Sequence, residues 1–130
     1  MIVMYVDDNH DLLDMFVQEM ADRMPEHTCL IFHCPSDALK FLIEDHSLVD
    51  LIVADETMPE MNGTDFLFQV VALGYAKDFI VFSGNCNDTV AFNLLKAELI
   101  SQNPSLTARM IEKPDFNLLM EAVKQISEAV

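Results

Sequence analysis

Short apolar runs along the chain alternate with longer stretches in which apolar residues recur every three or four positions. The short runs predict buried β-strands, and the longer stretches predict amphipathic helices that cover them. The predicted strands lie at residues 2–6, 28–32, 51–54, 79–82 and 108–112. The apolar stripe of the first helix comprises Leu12, Leu13, Phe16, Val17, Met20 and Met24. The stripes of the second and fifth helices comprise Ala38, Leu39, Leu42 and Ile43, and Leu118, Leu119, Ala122, Val123 and Ile126. Each predicted strand is thus followed by one helix.

Residues that favour helix starts lie between these segments. Thr64 is predicted to cap the third helix, because its hydroxyl can accept a hydrogen bond from a free backbone N–H. Asp88 or Asn87 is predicted to cap the fourth helix, over residues 89–100, and the fifth is predicted to begin near Asp115. The alternation of strand and helix predicts an α/β fold, an open and doubly wound parallel sheet of five strands with helices on both faces. With 130 residues, the chain is expected to form one domain.

The surplus of acidic residues narrows the classes of partner. Seven Lys and Arg residues against 22 Asp and Glu residues give a net charge of −15 at pH 7. This charge repels nucleic-acid phosphates and anionic lipid heads, so no direct nucleic-acid or membrane partner is expected. The apolar N-terminal run is too short for a signal peptide or a membrane span, and the three cysteines form no CxxC pair. A cytoplasmic protein with free thiols is therefore expected.

Charged or hydroxyl residues follow four of the predicted strands. Asp7 and Asp8 follow the first, Asp55 the third, Ser83 the fourth and Lys113 the fifth. The carboxyl ends of parallel strands lie at one edge of the sheet, where α/β proteins bind ligands. Two carboxylates about 4 Å apart repel by roughly 4 kcal/mol at an effective dielectric of about 20, so three of them need a cation. Mg²⁺ is expected, because it prefers oxygen ligands and bridges carboxylates to phosphoryl groups.

Ser83 and Lys113 suit a tetrahedral anion in the same pocket. A hydroxyl can donate a hydrogen bond to such an anion, and a lysine ammonium supplies a positive point charge. A carboxylate can also act as a nucleophile and accept a phosphoryl group, whose charge the metal and the lysine would neutralise. Asp55 is the best candidate for this role, because it stands alone at the end of its strand.

Four short motifs carry a family resemblance. They are Val6-Asp7-Asp8, Asp55-Glu56-Thr57-Met58-Pro59 followed by Met61-Asn62-Gly63, Phe82-Ser83-Gly84, and Lys113-Pro114. Each motif alone is weak, but the four in this order are specific. Over essentially all of its length, the chain resembles the receiver domain of response regulators in two-component phosphorelays.

The resemblance implies a fold and a role for each residue of the site. The implied fold is flavodoxin-like, with strand order 2-1-3-4-5 and the site at the carboxyl edge of the sheet. Asp55 would be the phosphoacceptor, and Ser83 and Lys113 would sense the phosphoryl group. The implied Mg²⁺ ligands are Asp7, Asp8, Asp55 and the backbone carbonyl of Thr57.

The resemblance also implies partners. A histidine kinase or a histidine phosphotransfer protein would donate the phosphoryl group. A downstream protein would bind the surface formed by residues 89–100, 108–112 and 116–126, which phosphorylation would change. The chain is expected to be a single receiver domain over residues 1–130 without an output domain. It is expected to act as a signalling phosphoacceptor rather than as an enzyme.

Two features depart from the usual pattern of the family. Met110 stands three residues before Lys113, where the family usually has an aromatic residue that moves with the Ser or Thr of the switch. Because methionine is flexible and repacks readily, a weaker or altered switch is predicted. The 113 − 83 = 30 positions that separate Ser83 from Lys113 exceed the usual spacing, and the excess is predicted at residues 98–106, on the output surface.

Two other functions remain open. One is a Mg²⁺-dependent phosphohydrolase with an aspartate nucleophile, but such enzymes usually have an acid two residues after the nucleophile, where this chain has Thr57. The other is a degenerate receiver that binds partners without phosphorylation, but the complete acidic set and Lys113 argue against it. Turnover of small phosphate esters would favour the first alternative, and failure to accept a phosphoryl group would favour the second.

Overall fold

Five parallel strands form the sheet at the centre of the molecule. The computed structural model describes residues 1–84, 88–113 and 115–129, with the backbone alone at 88–91. The strands are β1 Ile2–Val6, β2 Thr28–Phe32, β3 Leu51–Asp55, β4 Asp78–Ser83 and β5 Thr107–Glu112. Their order in the sheet is β2-β1-β3-β4-β5, and every neighbouring pair is parallel. The predicted fold class and strand order are confirmed.

Helices cover both faces of this sheet. They are α1 His10–Arg23, α2 Pro35–Asp45, α3 Gly63–Ala72, α4 Asp88–Gln102 and α5 Phe116–Ala129. A short 3-10 turn at His46–Leu48, which the sequence did not predict, lies between α2 and β3. Successive side chains of a strand point to opposite faces. Met4 and Val6 of β1 therefore pack in the core under α2, α3 and α4, whereas Val3 and Tyr5 pack in the core under α1 and α5.

The predicted helical stripes are confirmed at their centres and wrong at some of their edges. Phe16 and Leu42 are fully buried, as predicted. Val17, Ile43 and Leu118 are instead 38%, 61% and 49% exposed. Each of these three adjoins a fully buried residue in the sequence, and one helical step of about 100° turns its side chain away from the sheet.

The start of α3 differs from the prediction. Asn62, not Thr64, caps the helix, and its side-chain oxygen accepts a hydrogen bond from the backbone N–H of Asp65 at 2.7 Å. Thr64 lies inside the first turn and donates its hydroxyl to the carboxylate of Glu56. The helix begins at Gly63, whose backbone N–H donates to the backbone oxygen of Glu56 at 3.0 Å. This contact with the end of β3 draws the chain into the helix earlier than capping preferences alone predict.

Helix α4 is longer than predicted. It begins at Asp88, which is therefore the first residue of the helix, and Asn87 lies outside the described residues. It ends at Gln102, so that its last turn falls in the segment 98–106 where additional length was predicted. Within the described parts of the chain, no helix has the length and apolar character needed to cross a membrane.

Candidate functional site

Three carboxylates lie together at the carboxyl edge of the sheet. Asp7 and Asp8 directly follow β1, and Asp55 ends the neighbouring strand β3. The two strands pair in register, with Val6 opposite Ala54, so their ends lie side by side. One carboxylate oxygen from each acid lies within 4.8 Å of those from the other two. Asp7 and Asp55 are buried and Asp8 is exposed, so the cluster opens to solvent on the side of Asp8.

Lys113 connects two of these acids. Its Nζ lies 3.0 Å from Oδ2 of Asp7 and 3.0 Å from Oδ1 of Asp55, and its side chain is only 15% exposed. Strand β4 separates β5 from β3, so the lysine crosses the end of β4, with Nζ 5.8 Å from the centre of the Phe82 ring. The ammonium group offsets part of the negative charge that the three acids concentrate at this edge.

Ser83 is the last residue of β4, between the strands that carry Asp55 and Lys113. Its side chain is buried, and its backbone oxygen accepts a hydrogen bond from the backbone N–H of Lys113 at 2.8 Å. Asp55 pairs with Phe82 in the sheet, so Ser83 lies one residue beyond the level of Asp55. The structure therefore brings the hydroxyl residue to the same sheet edge as the acids and the lysine.

Burial raises the pKa of the Asp55 carboxyl above its ordinary value. The hydrogen bond from Lys113 acts in the opposite direction, and the neighbouring charge of Asp7 raises the pKa further. The backbone N–H of Thr57, 3.3 Å from Oδ1 of Asp55, lowers it. The ionised form of Asp55 thus depends on nearby positive charge, and a cation added to the cluster would favour it.

The ligand atoms of this cluster fit a magnesium ion. Carboxylate oxygens are the ligands that Mg²⁺ prefers, and an exposed Asp8 leaves one side open for the water molecules that the ion retains. Asp7, Asp8 and Asp55 are the residues that would hold the ion. Thr57 follows Asp55 by two residues and is hydrogen-bonded to its carboxylate through the backbone, which keeps the Thr57 backbone near the same cluster.

Comparison with known proteins identifies the family. A family model described as the response regulator receiver domain matches residues 3–124. The chain belongs to this family. No curated protein sequence matches it significantly.

Solved structures of receiver domains share the fold. A CheY-like response regulator receiver domain protein from Methanospirillum hungatei superimposes with a TM-score of 0.75 at 19% identity, covering 98% of this chain and 94% of that one. The response regulator domain of Thermotoga maritima CheB gives 0.72 at 20% identity, with 99% and 95% covered. The response regulator protein TrrA from Thermotoga maritima, in complex with Mg²⁺ and BeF, gives 0.72 at 17% identity, with 96% and 97% covered. These low identities support the fold alone.

Two further buried polar side chains of this receiver domain adjoin the site residues, and the sequence did not predict their contacts: Tyr5 is hydrogen-bonded to Asp7, and Glu56 directly follows Asp55. Tyr5 donates its hydroxyl to Oδ2 of Asp7 at 3.0 Å, and burial, followed by the charge of Asp7, raises its pKa so that it remains a neutral donor. Its position two residues before Asp7 on a strand was the available signal, since such residues share a face. Glu56 is buried, and its carboxylate accepts hydrogen bonds from the Thr64 hydroxyl and from the Thr64 N–H at 2.9 Å. No periodicity in the sequence connects Glu56 with Thr64.

Met110 lies in β5, opposite Val81 in the paired strand β4. Its side chain is half-buried and packs against the core under α2, α3 and α4. The methionine therefore lies within the output surface predicted from the sequence, on the strand that pairs with the strand ending in Ser83. The altered switch that Met110 implies stays a prediction.

Proposed function

We propose that Asp55 of this receiver domain accepts a phosphoryl group from a phosphohistidine donor with the help of Mg²⁺. The observation that carries the proposal is the position of Lys113, which contacts both Asp55 and Asp7 at 3.0 Å beside a cluster of three carboxylates. An acidic nucleophile, a set of metal ligands and a fixed cation at one sheet edge are the groups that phosphoryl transfer to a carboxylate requires. Family membership supports the same function.

The residues divide the chemistry between them. An oxygen of Asp55 would attack the phosphorus while the bond from phosphorus to the donor imidazole nitrogen breaks, its electron pair remaining on that nitrogen. Asp7, Asp8 and the carbonyl of Thr57 would share with Asp55 the binding of Mg²⁺, which supplies positive charge to the transferring oxygens. Lys113 would exchange its contact with Asp7 for a contact with the phosphoryl oxygens. Ser83 would donate a hydrogen bond from its hydroxyl to the same oxygens.

We propose that this rearrangement changes a protein-binding surface. Phosphorylation would convert the singly charged carboxylate of Asp55 into an acyl phosphate with a charge of about −2, next to Lys113, which follows β5, and Ser83, which ends β4. Helix α5 begins three residues after Lys113, and α4 begins five residues after Ser83. Movement of either side chain is therefore transmitted to α4, β5 and α5, where a downstream protein would bind. The donor would be a histidine kinase or a histidine phosphotransfer protein, and the protein would act in the cytoplasm.

Incubation with acetyl phosphate and Mg²⁺, followed by intact-mass measurement, tests the phosphoacceptor. The wild type should gain the mass of one phosphoryl group, and Asp55→Asn should gain none. Asp14→Asn is the matched control, because it makes the same chemical change at an exposed residue of α1 outside the cluster of three carboxylates, and it should be phosphorylated like the wild type. Labelling of Asp55→Asn would contradict the assignment of the nucleophile. A wild type that gains no mass with acetyl phosphate or with other small donors would contradict the function itself.

A further inference from the structure

The hydroxyl group of Tyr5 lies at the candidate metal site, and the hydrophobic surroundings of the ring do not explain why this residue is a tyrosine. It lies in the middle of β1, fully buried, with its ring 4.5 Å from the ring of Phe16 in α1. Phenylalanine would fill the same space without a polar atom. The tyrosine hydroxyl instead reaches Asp7, two residues along the strand, and donates to Oδ2 at 3.0 Å. The Tyr5 hydroxyl is thus a polar atom in the core that is directed at a carboxylate of the site.

The contacts of Asp7 divide its two oxygens between different partners. Oδ2 accepts hydrogen bonds from Tyr5 and from Lys113, both at 3.0 Å. Oδ1 accepts one from the backbone N–H of Asn9, also at 3.0 Å. Lys113 is a shared partner, since it also contacts Asp55. Tyr5 belongs to a central strand and its ring packs against Phe16, so its hydroxyl is held in position by the core and not by Lys113.

We propose that Tyr5 is a positioning residue, which orients the carboxylate of Asp7 for Mg²⁺ through this hydrogen bond. The inference rests on the proposed function, because it assumes that Asp7 is a metal ligand. Groups that hydrogen-bond to a metal ligand fix its orientation, and their loss commonly weakens metal affinity by about 10- to 100-fold. Tyr5→Phe keeps the ring and removes the hydroxyl alone. It should weaken Mg²⁺ binding by about tenfold.

The chain offers a spectroscopic test with a matched control. It contains two tyrosines and no tryptophan, so its near-ultraviolet absorption reports mainly on Tyr5 and Tyr75. Tyr75 is also buried, but its hydroxyl donates to the backbone oxygen of Asp78 at the start of β4, at the opposite edge of the sheet. Mg²⁺ bound to Asp7 would change the charge on the carboxylate oxygen that accepts the hydrogen bond from Tyr5. The absorption of Tyr5 should therefore shift in wavelength when Mg²⁺ is added.

Wild type, Tyr5→Phe and Tyr75→Phe are titrated with MgCl₂, and binding is followed by calorimetry and by the absorption difference spectrum. The wild type and Tyr75→Phe should bind with equal affinity and show the shift. Tyr5→Phe should bind about tenfold more weakly and show no shift. Circular dichroism establishes that each variant is folded. In Tyr75→Phe the remaining tyrosine is Tyr5, so a spectral shift in this variant reports on the hydrogen bond between Tyr5 and Asp7.

The outcomes distinguish the role of Tyr5 from the existence of the metal site. Equal Mg²⁺ affinity in Tyr5→Phe and the wild type would overturn the role of Tyr5 and leave the metal site intact. Mg²⁺ binding to Tyr75→Phe without a shift in the tyrosine spectrum would overturn it as well. A wild type that binds no Mg²⁺ would contradict the metal site of the proposed function.

Discussion

Replacing Lys113 by methionine should destabilise the unphosphorylated protein strongly, because the lysine contacts two buried carboxylates. At 3.0 Å and an effective dielectric of about 20, its attraction to Asp7 or to Asp55 is about 5.5 kcal/mol before the cost of burying the charges is counted. Removing one partner of a buried ion pair typically costs 3–5 kcal/mol. The site opens to solvent at Asp8, so we expect the lower end, a loss of about 3 kcal/mol in the free energy of unfolding.

Urea unfolding at neutral pH, followed by circular dichroism, measures this loss. Lys77→Met is the matched control, because Lys77 Nζ lies 3.5 Å from Oδ1 of Asp50 in a more exposed pair. Such a pair contributes about 1 kcal/mol or less, so this variant should lose correspondingly little. Mg²⁺ should stabilise Lys113→Met more than it stabilises the wild type, since in the wild type the lysine already offsets part of the negative charge.

Two results would refute this reasoning. If Lys113→Met lost no more stability than Lys77→Met, the contacts of Lys113 with Asp7 and Asp55 would not hold the buried carboxylates. If Asp55→Asn in the Lys113→Met background recovered none of the loss, repulsion between the acids would not be its cause. The second result isolates the electrostatic contribution, because Asn keeps the size of the side chain and removes its charge.

Three further predictions concern the end of β3 and the start of α3. Asp55→Asn should stabilise the protein at neutral pH, because burial raises the folded-state pKa of Asp55 above the ordinary value of 3.8. The stability that Asp55 contributes is therefore full below about pH 4 and is lost as the pH rises through its folded-state pKa. Urea unfolding at a series of pH values checks this, and a gain for the variant confined to acidic pH would contradict it. Thr64→Val should lower the free energy of unfolding by about 2 kcal/mol, because it removes the hydroxyl that donates to the buried Glu56 carboxylate, whereas Thr64→Ser should lose much less. Gly63→Ala should cost about 1–3 kcal/mol, since a Cβ there would lie 2.5 Å from the backbone oxygen of Asp55; a neutral effect in thermal unfolding would contradict this.

The sequence was sufficient to predict the sheet and the polar residues at its carboxyl edge, because both follow from local patterns along the chain. Short apolar runs bounded by polar or turn residues predict strands, and strict alternation with helices favours parallel pairing of the strands. Parallel strands all end at one edge, so residues as distant in sequence as Asp7 and Lys113 were expected to be close. The structure places Lys113 Nζ 3.0 Å from Asp7 Oδ2, in agreement with that expectation.

Details that depend on contacts between elements were not predictable in the same way. Val17 and Ile43 belong to apolar stripes by spacing, yet both are exposed, because burial depends on where the sheet lies against each helix. Asn62 and Thr64 are both good caps, and the contact of the following turn with the end of β3 decides between them.

By itself, the sequence determined which segments form strands and helices, that the sheet is parallel, and which acids, hydroxyl and lysine stand at its carboxyl edge. These properties follow from the periodicity of apolar residues and from the direction of the chain, and both can be read from residues that are close in sequence. Only the tertiary structure decided that Tyr5 donates to Asp7 and that Glu56 binds the first turn of α3. The reason is geometric: a hydrogen bond requires two atoms to meet at about 3 Å, and that distance is set by the packing of whole elements rather than by spacing along the chain.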